Sequence, residues 1–190
     1  MSGFLKLKNN QIYPMNLLTI KKYGDPILRE RCQEIKNFDQ NIRLLYKGML
    51  ETLQESKNGV GLAAPQIGSN KQIIVINAYI AGGYNSHPND FLCLANPKIV
   101  KKSVKTNKGF EECLSLPGVS VKVKRANQIK VEAWSLQKNK LITLDVEGFF
   151  ARVLQHEIDH LQGILIVDYL SPWRKLRVLK KLERTIASVV

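Results

Sequence analysis

The spacing of apolar residues predicts a helix in the first third of the chain. Between Asp39 and Asn58, apolar side chains recur every three or four residues, as on one face of an amphipathic helix. They are Ile42, Leu45, Tyr46, Met49, Leu50 and Leu53. Asp39 is a suitable N-cap, and Asn58-Gly59 is a typical C-terminal signal. We therefore expect an amphipathic helix over residues 39–58.

The same helical period returns twice near the end of the chain. Residues 149–162 repeat it, and Gly163 stands where such a helix would stop. Ser171-Pro172 has the form of an N-cap followed by a first-turn proline. This pair predicts a third, basic helix that continues to the C-terminus.

The segments between the helices are short and strand-like. Residues 59–66 (GVGLAAPQ) are too rich in small residues, Gly and Pro for a helix interior, 72–77 (QIIVIN) are typical of a strand, and 78–90 of a loop. Further strand-like runs, spaced like an antiparallel meander, cover residues 92–100, 103–110, 119–124, 128–136 and 141–147. Because helices and strands do not alternate as in βαβ units, we predict an α+β fold.

Length and composition favour one globular domain over residues 1–190. The 190 residues are 44% hydrophobic and 24% charged, which is typical of globular proteins, and domains usually span about 100–200 residues. No segment reaches the roughly 18 apolar residues of a membrane span, and the N-terminus lacks the apolar region of a signal peptide. The odd number of cysteines, three, does not suggest a disulfide framework. We therefore expect a cytoplasmic protein.

The chain is strongly basic, with 29 Lys and Arg against 16 Asp and Glu and a formal net charge of +13. Residues 98–130 hold nine basic and two acidic residues, and residues 174–184 hold six basic and one acidic residue. Such an excess fits a polyanionic partner, such as nucleic acid or an anionic membrane, and it also fits a lysine-rich solvated surface. Charge alone leaves these alternatives open.

The most specific chemical pattern is His156-Glu157-Ile158-Asp159-His160. In a helix, side chains four residues apart lie one turn apart on one face, so both imidazoles can reach a single metal ion. The Glu157 carboxylate between them can contact a water on that ion. The pattern therefore predicts a metal site on the second helix.

Two histidines do not complete a metal site, and a third ligand must come from elsewhere. A third histidine of the zincin type is absent because Ile166 occupies its position. Glu183 lies among basic residues, which favours a surface ion pair. Cys113 is the remaining soft candidate, whereas Cys32 and Cys93 fit small buried residues.

Three blocks, in this order, resemble peptide deformylases, the metallohydrolases that remove the formyl group from nascent bacterial-type polypeptides. They are residues 59–66 (GVGLAAPQ), 111–115 (EECLS) and 155–163 (QHEIDHLQG). The opening segments are also similar to the start of that family, so that the resemblance covers about residues 15–182. Residues 1–14 are interpreted as an N-terminal extension, for which we expect little ordered structure.

The resemblance implies antiparallel β-sheets packed around a central metal-binding HExxH helix, with N-terminal and C-terminal helices. It implies that Cys113, His156 and His160 bind one divalent ion, with water in the fourth position. Fe²⁺ is the expected native ion, and Zn²⁺, Ni²⁺ or Co²⁺ could replace it in purified protein. Metal-bound hydroxide would attack the formyl carbon, with Glu157 as general base and then general acid.

The resemblance also assigns residues to the oxyanion that forms on the formyl oxygen. The Gln66 side-chain amide and the Leu114 backbone N–H would donate hydrogen bonds to it. A buried Gln that ties a loop to a strand is the structural alternative for Gln66. Glu111 and Arg125 are expected to pair beneath the cysteine strand.

Further residues are expected to bind the peptide. Residues Gly59, Val60 and Gly61 form a strand edge to which an extended peptide can hydrogen-bond by β-augmentation. Phe149 and Val153 lie seven residues before the two histidines, nearly on the same helical face. We expect them to line an apolar pocket for the substrate's methionine side chain, and ordinary core packing is the alternative.

One residue departs from the family's usual pattern. Glu112 precedes the cysteine where a glycine is usual, and a glycine there could serve a special backbone angle or a close approach. The departure leaves two hypotheses open: an outward-facing carboxylate on a strand edge, or altered substrate entry.

The expected partners are N-formyl-methionyl nascent peptides and the ribosome, and no membrane. The resemblance suggests that the basic helix 172–190 contacts ribosomal RNA near the exit of the nascent chain. A monomer is the default. Two other classes stay open: a zinc endopeptidase, disfavoured by the missing third His or Glu, and a ribosome-binding module that kept the fold without turnover.

Overall fold

In the computed structural model, the backbone is described for residues 5–8, 11–14, 17–56, 59–82, 87 and 90–187. Three α-helices are present in these ranges: α1 Gln40–Glu55, α2 Gly148–His160 and α3 Pro172–Ala187. The strands of the same ranges are β1 Leu5–Lys8, β2 Gln11–Pro14, β3 Gly61–Ala63, β4 Ile73–Asn77, β5 Phe91–Lys102, β6 Thr106–Cys113, β7 Leu116–Ala126, β8 Gln128–Ser135 and β9 Lys140–Glu147. Short 3-10 helices cover Pro26–Arg29, Ala64–Ile67 and Ile166–Tyr169.

The strands form a five-stranded sheet in the order β3-β4-β5-β8-β9 and two hairpins, β1-β2 and β6-β7, in which all pairs are antiparallel. The α+β prediction is therefore confirmed. The prediction of one continuous meander is wrong, because β5 pairs with β8 instead of β6. The β6-β7 hairpin leaves the sheet because its buried face packs in a second apolar cluster with α3, around Val121, Val123 and Leu182.

Helix α2 occupies the centre of the fold, as expected. It packs against β3, β4, β8 and β9 of the five-stranded sheet and against β7 of the hairpin. It ends at His160, and the chain then turns away at Gly163, whose φ of +72° suits glycine. A Cβ there would lie 2.8 Å from the carbonyl carbon of Arg29. This stop fixes the end of the helix that carries both histidines.

Helix α1 begins as predicted and ends earlier. The Ile42 N–H donates to Asp39 Oδ1 at 3.0 Å, so that Asp39 is the N-cap. The helix stops at Glu55 because the Ser56 N–H and hydroxyl both turn back to the Leu53 carbonyl oxygen. The predicted stop at Asn58 lies outside the described residues.

The first two strands of the chain precede residue 15. Residues 5–8 and 11–14 pair as an antiparallel hairpin, so the expectation of little ordered structure before residue 15 is wrong for these eight residues. Their sequences, LKLK and QIYP, include the alternation that suits a strand.

In the described ranges, no helix is both long enough and apolar enough to cross a membrane.

Candidate active site

Cys113, His156 and His160 bring their ligand atoms within 4.8 Å of one another, and all three side chains are buried. The two histidines lie one turn apart on α2. Cys113 is the last residue of β6, and a register shift between Glu112 and Cys113 interrupts the pairing with β7 at this point. The Cys113 Sγ atom lies 3.2 Å from His160 Nε2. One sulfur and two imidazoles form a donor set that suits several divalent transition metals.

The surroundings of Cys113 favour the thiolate, which is the form that binds metals. Burial alone would raise the pKa of this thiol. The charges and hydrogen bonds of His160 and His156 outweigh burial and hold the pKa of Cys113 well below its ordinary value. By contrast, burial raises the pKa of Cys32 to about 11 and that of Cys93 to about 12. These two thiols lie in the apolar clusters, as expected from the sequence.

The Glu111 carboxylate fixes the orientation of His156. Glu111 Oε2 lies 3.0 Å from His156 Nδ1, which leaves Nε2 of the ring for a metal ion. The expected pair with Arg125 is confirmed: its Nε and Nη2 atoms donate to the two carboxylate oxygens, each at 2.9 Å. Burial opposes ionisation, but Arg125 and His156 lower the pKa of Glu111 to about 2.

A second arginine, Arg152, completes this buried network, and it was not predicted from the sequence. Its Nη1 atom donates to Glu111 Oε1 at 2.7 Å and to the Val123 carbonyl oxygen at 3.0 Å, while Nη2 reaches Asn107. Arg152 is spaced four residues before His156 on α2. That spacing was the available signal, because it places both side chains on one helical face.

Glu157 projects from the same helix beside the cluster of Cys113, His156 and His160. It is 4% exposed, and its Oε2 atom has no hydrogen-bond partner among the described residues. Burial, more than any neighbouring charge, raises its pKa. A Cβ atom built on Gly61 would lie 2.7 Å from Glu157 Cδ, so the carboxylate packs directly against the bare backbone of β3. A buried carboxyl with an unmet acceptor is suited to contact a water at a bound ion.

The Gln66 side chain lies next to Cys113. Its Oε1 atom accepts from the Ala63 N–H at 2.8 Å, which directs Nε2 toward Ser115 Oγ at 3.2 Å and Cys113 Sγ at 3.5 Å. Gln66 therefore does tie a loop to a strand, and it also presents its amide at the cluster. Ser115, fully buried, holds this orientation and was not singled out from the sequence.

A cleft of about 490 Å³ opens over the cluster. One wall is β3, an edge strand of the five-stranded sheet. Of the strand edge expected at Gly59, Val60 and Gly61, only Gly61 lies in β3, and the other two residues precede it. Phe149 and Val153 line the cleft as expected, although Val153 also packs in the core. The residues lining the cleft are Lys22, Gly59, Val60, Gly61, Gln66, Phe110, Glu111, Glu112, Cys113, Leu114, Leu116, Pro117, Gly118, Phe149, Arg152, Val153, His156 and Glu157.

Glu112 is exposed and lines this cleft. In the described part of the chain, positive φ angles outside glycine occur only at Asn96 and Asn139. The backbone at Glu112 therefore does not require glycine. Its side chain points outward on β6, between the buried Glu111 and Cys113.

Comparisons with known proteins agree with this geometry. The family model described as Polypeptide deformylase matches residues 17–176. Peptide deformylase 1 of Clostridium perfringens is 41% identical over 155 residues, which are 82% of this chain and 99% of that protein. The crystal structure of peptide deformylase from Ehrlichia chaffeensis covers 90% of this chain and 98% of its own, with a TM-score of 0.80 and 32% identity. That from Thermotoga maritima has a TM-score of 0.73 and 36% identity, covering 82% and 99%. The chain therefore belongs to the polypeptide deformylase family.

Proposed function

We propose that this chain removes the formyl group from the N-terminal formylmethionine of newly synthesised polypeptides and releases formate. Family membership makes it an enzyme that hydrolyses formylmethionyl peptides. The observation that carries the detailed proposal is the buried Cys113, His156 and His160 cluster at the base of the cleft, with the Glu157 carboxyl beside it. A ribosome-binding module without turnover is disfavoured, because the residues expected to act in hydrolysis are present together.

The donor set and its surroundings fit one divalent ion held by Cys113, His156 and His160. The thiol has a lowered pKa, His156 is oriented by Glu111, and the buried Glu157 Oε2 atom lacks a partner among the described residues. When bound, such an ion acidifies a water and polarises a carbonyl oxygen. We propose Fe²⁺ as the native ion from the resemblance, with Zn²⁺, Ni²⁺ or Co²⁺ as substitutes that these ligands also accept.

Three groups of the protein then act on the substrate. Glu157 takes the proton of the attacking water and passes it to the methionine nitrogen, which leaves as the amine. Its raised pKa suits this exchange because it lies nearer to neutral pH than that of an ordinary Glu. The Gln66 amide and the Leu114 N–H donate to the oxyanion that develops on the formyl oxygen. The contact of Gln66 with Ser115 supports this role, because it limits the rotation of the amide.

The peptide would lie along β3 in an extended conformation. Gly59, Val60 and Gly61 line the cleft, and the side of β3 away from β4 is open within the described sheet. Backbone hydrogen bonds to such an edge do not depend on the sequence of the peptide. Phe149 and Val153 would contact the methionine side chain. These contacts would favour a long apolar residue at the first position of the peptide.

The deciding experiment measures formate release from formyl-Met-Ala-Ser together with metal content. We expect formate in proportion to bound metal for protein prepared anaerobically with Fe²⁺ and for protein loaded with Ni²⁺. Unformylated Met-Ala-Ser is the matched control for peptidase activity, which a zinc endopeptidase would show. Metal-loaded protein that releases no formate would overturn the proposal.

We further propose that the basic helix α3 binds ribosomal RNA near the exit of the nascent chain. Arg174, Arg177 and Lys180 are exposed on α3, whereas Leu182 is buried against β7. Phosphate contacts make such binding salt-dependent. Replacing these three basic residues with Gln should weaken ribosome binding and its salt dependence.

The matched control carries the same charge change on another surface, with Lys101, Lys102 and Lys105 replaced by Gln. These residues are also exposed, and they lie at the far end of β5 and in the turn that follows it. Equal loss of ribosome binding in both triple variants would show that only net charge matters and would contradict a specific role for α3.

The remaining proposals concern the organisation of the chain and its location. We propose one catalytic domain, because α2 contacts both the five-stranded sheet and the β6-β7 hairpin. A monomer is proposed as the default oligomeric state. A reducing compartment such as the cytoplasm is supported by the free Cys32, Cys93 and Cys113 thiols. Sedimentation of the purified protein tests the oligomeric state.

A further inference from the structure

The mouth of the cleft carries one exposed carboxylate, that of Glu112. The other two carboxylates that line the cleft are buried and otherwise engaged. Glu111 accepts from Arg125 and Arg152, and Glu157 lies beside the metal-binding cluster. None of the ion pairs among the described residues includes Glu112, and its partner across the β6-β7 hairpin is the uncharged Ser120. Its charge therefore faces whatever enters the cleft.

Glu112 has an exposed aromatic neighbour on the same face of β6. Phe110 precedes it by two residues, so both side chains point to the same side of the strand, about 7 Å apart along the chain. Phe110 lines the cleft although it is 68% exposed. Its ring already lies 5.8 Å from the ammonium group of Lys122, which is the distance of a cation–π contact. A carboxylate beside an exposed ring suits a long cationic side chain, whose stem packs on the ring while its charge meets the carboxylate.

A peptide bound along β3 as proposed above would bring its second or third residue toward this pair. Successive side chains of an extended peptide point to opposite sides. When methionine points into the pocket, the next side chain points toward the mouth of the cleft. Two cations line the cleft: Lys22, whose Nζ atom donates to the Leu114 carbonyl oxygen at 2.9 Å, and Arg152, which donates to Glu111.

We infer that Glu112, with Phe110, selects substrates that carry Lys or Arg at one of the two positions after formylmethionine. This inference rests on the proposed function and names a preference within it. It also gives the departure at position 112 a consequence: the carboxylate changes which peptides enter, and leaves the chemistry at Cys113 as it is. The effect is electrostatic and exposed, so it should be modest and should weaken with salt.

The test compares kcat/KM for amidated formyl-Met-Xaa-Ser and formyl-Met-Ala-Xaa peptides with Lys, Ala or Glu at the varied position. Amidation removes the terminal carboxylate, which would otherwise add its own charge. For the wild-type chain we expect kcat/KM of the Lys peptide to exceed that of the Glu peptide by about five- to tenfold at one of the two positions. The reason is that Glu112 attracts the Lys side chain and repels the Glu side chain. Glu112→Gln should bring this ratio close to one, and Glu112→Lys should invert it.

The Ala peptide is the reference substrate for each variant, because its kcat/KM reports catalysis without a charge at the varied position. Activity on Ala peptides with an unchanged Lys-to-Glu ratio in Glu112→Gln would overturn the inference while leaving the proposed function standing. Loss of formate from every peptide in the wild-type chain would instead contradict the proposed function. Glu34→Gln removes an equal charge from an exposed loop outside the cleft. It should keep the wild-type ratio, and a ratio that shifts there as well would also overturn the inference.

Discussion

His156 Nδ1 lies 3.0 Å from Glu111 Oε2, in a contact that is buried on both sides. The carboxylate that orients this histidine is itself held by Arg125 and Arg152. A metal-binding histidine whose second nitrogen meets a carboxylate is fixed in both tautomer and ring orientation. Glu111 thus orients a proposed metal ligand that lies 45 residues away in sequence.

Glu111→Gln should weaken metal binding because the amide no longer stabilises the His156 ring as a carboxylate does. Loss of such an outer partner typically lowers metal affinity by about 10- to 100-fold. The substitution also leaves the Arg152 charge without a carboxylate partner and Arg125 with Asp159 alone, and breaking a buried pair costs about 3–5 kcal/mol. Chelator competition measures the affinity, and urea unfolding measures the stability.

Glu132→Gln is the matched control for this variant, since Glu132 is exposed on β8. It removes the same charge without touching the buried network, and both measurements should stay near wild type. A Glu111→Gln protein that keeps wild-type metal affinity would show that the carboxylate does not prepare His156.

Glu157→Gln should abolish most turnover while the metal content stays normal. Glu157 is not one of the three clustered ligands, and Gln keeps its volume beside Gly61. General acid–base catalysis contributes about 10²- to 10⁴-fold, and formate release should fall by that amount. Turnover close to wild type at normal metal content would assign the proton transfer to another group.

Gly61→Ala should displace Glu157, because the added Cβ would lie 2.7 Å from its Cδ atom and 2.8 Å from its Cγ atom. Overpacking of this kind typically costs about 1–3 kcal/mol. A double-mutant cycle with Glu157→Ala isolates the clash, since that substitution removes both atoms. We expect Gly61→Ala to lower the free energy of unfolding in the wild-type chain and to cost much less in the Glu157→Ala background. Equal costs in the two backgrounds would place the strain elsewhere.

The fold was predictable where the order is local. The periodic apolar residues of α1 and α2 and the caps at Asp39 and Gly163 act within a few residues, so the sequence alone locates these helices. The pairing of β5 with β8 was not predictable, because strands of similar spacing can pair in several orders. The choice is made by the packing of the β6-β7 hairpin against α3.

The residues of the candidate site also differ in whether local sequence predicts them. His156, Glu157 and His160 follow from spacing on one helix, whereas Cys113 needed a family resemblance because no local rule links β6 to α2. Arg152 was missed because only the folded chain shows that it meets Glu111. Ser115 was missed for the same reason, since its partner Gln66 lies 49 residues earlier.

Val153→Trp should raise KM for formyl-Met peptides, because Val153 lines the cleft and is 7% exposed. Overfilling a packed site costs about 1–3 kcal/mol, which corresponds to about a 5- to 150-fold rise in KM when the cost falls on binding. Formyl-Ala peptides supply the control, since their short side chain does not need the pocket. Wild type should prefer formyl-Met strongly, and the variant should lose most of that preference. An equal loss on both peptides would favour core packing as the role of Val153.

Asp168→Asn should lower stability at neutral pH by loosening the attachment of α3. Asp168 accepts from Arg29 and from Lys175 of α3, and these contacts outweigh its partial burial and lower its pKa to about 2. A depressed carboxyl pKa stabilises the fold above the unfolded value of about 3.9 and loses this contribution as the pH falls toward 2. Since the side chain is partly exposed, we expect a difference of about 1 kcal/mol at pH 7. Asn can still accept from the Leu165 N–H, which preserves the local turn.

The same pH series on Asp145→Asn is the control, because the Lys130–Asp145 pair is more exposed than the Asp168 contacts. Urea unfolding of both variants and of the wild type between pH 7 and pH 2 provides the comparison. For Asp168→Asn, the difference from wild type should be constant down to about pH 4 and should shrink below it, as the wild-type carboxylate takes up its proton. For Asp145→Asn it should be small throughout, as for other exposed pairs. A difference for Asp168→Asn that is as large at pH 2 as at pH 7 would show that the lost contact is not electrostatic.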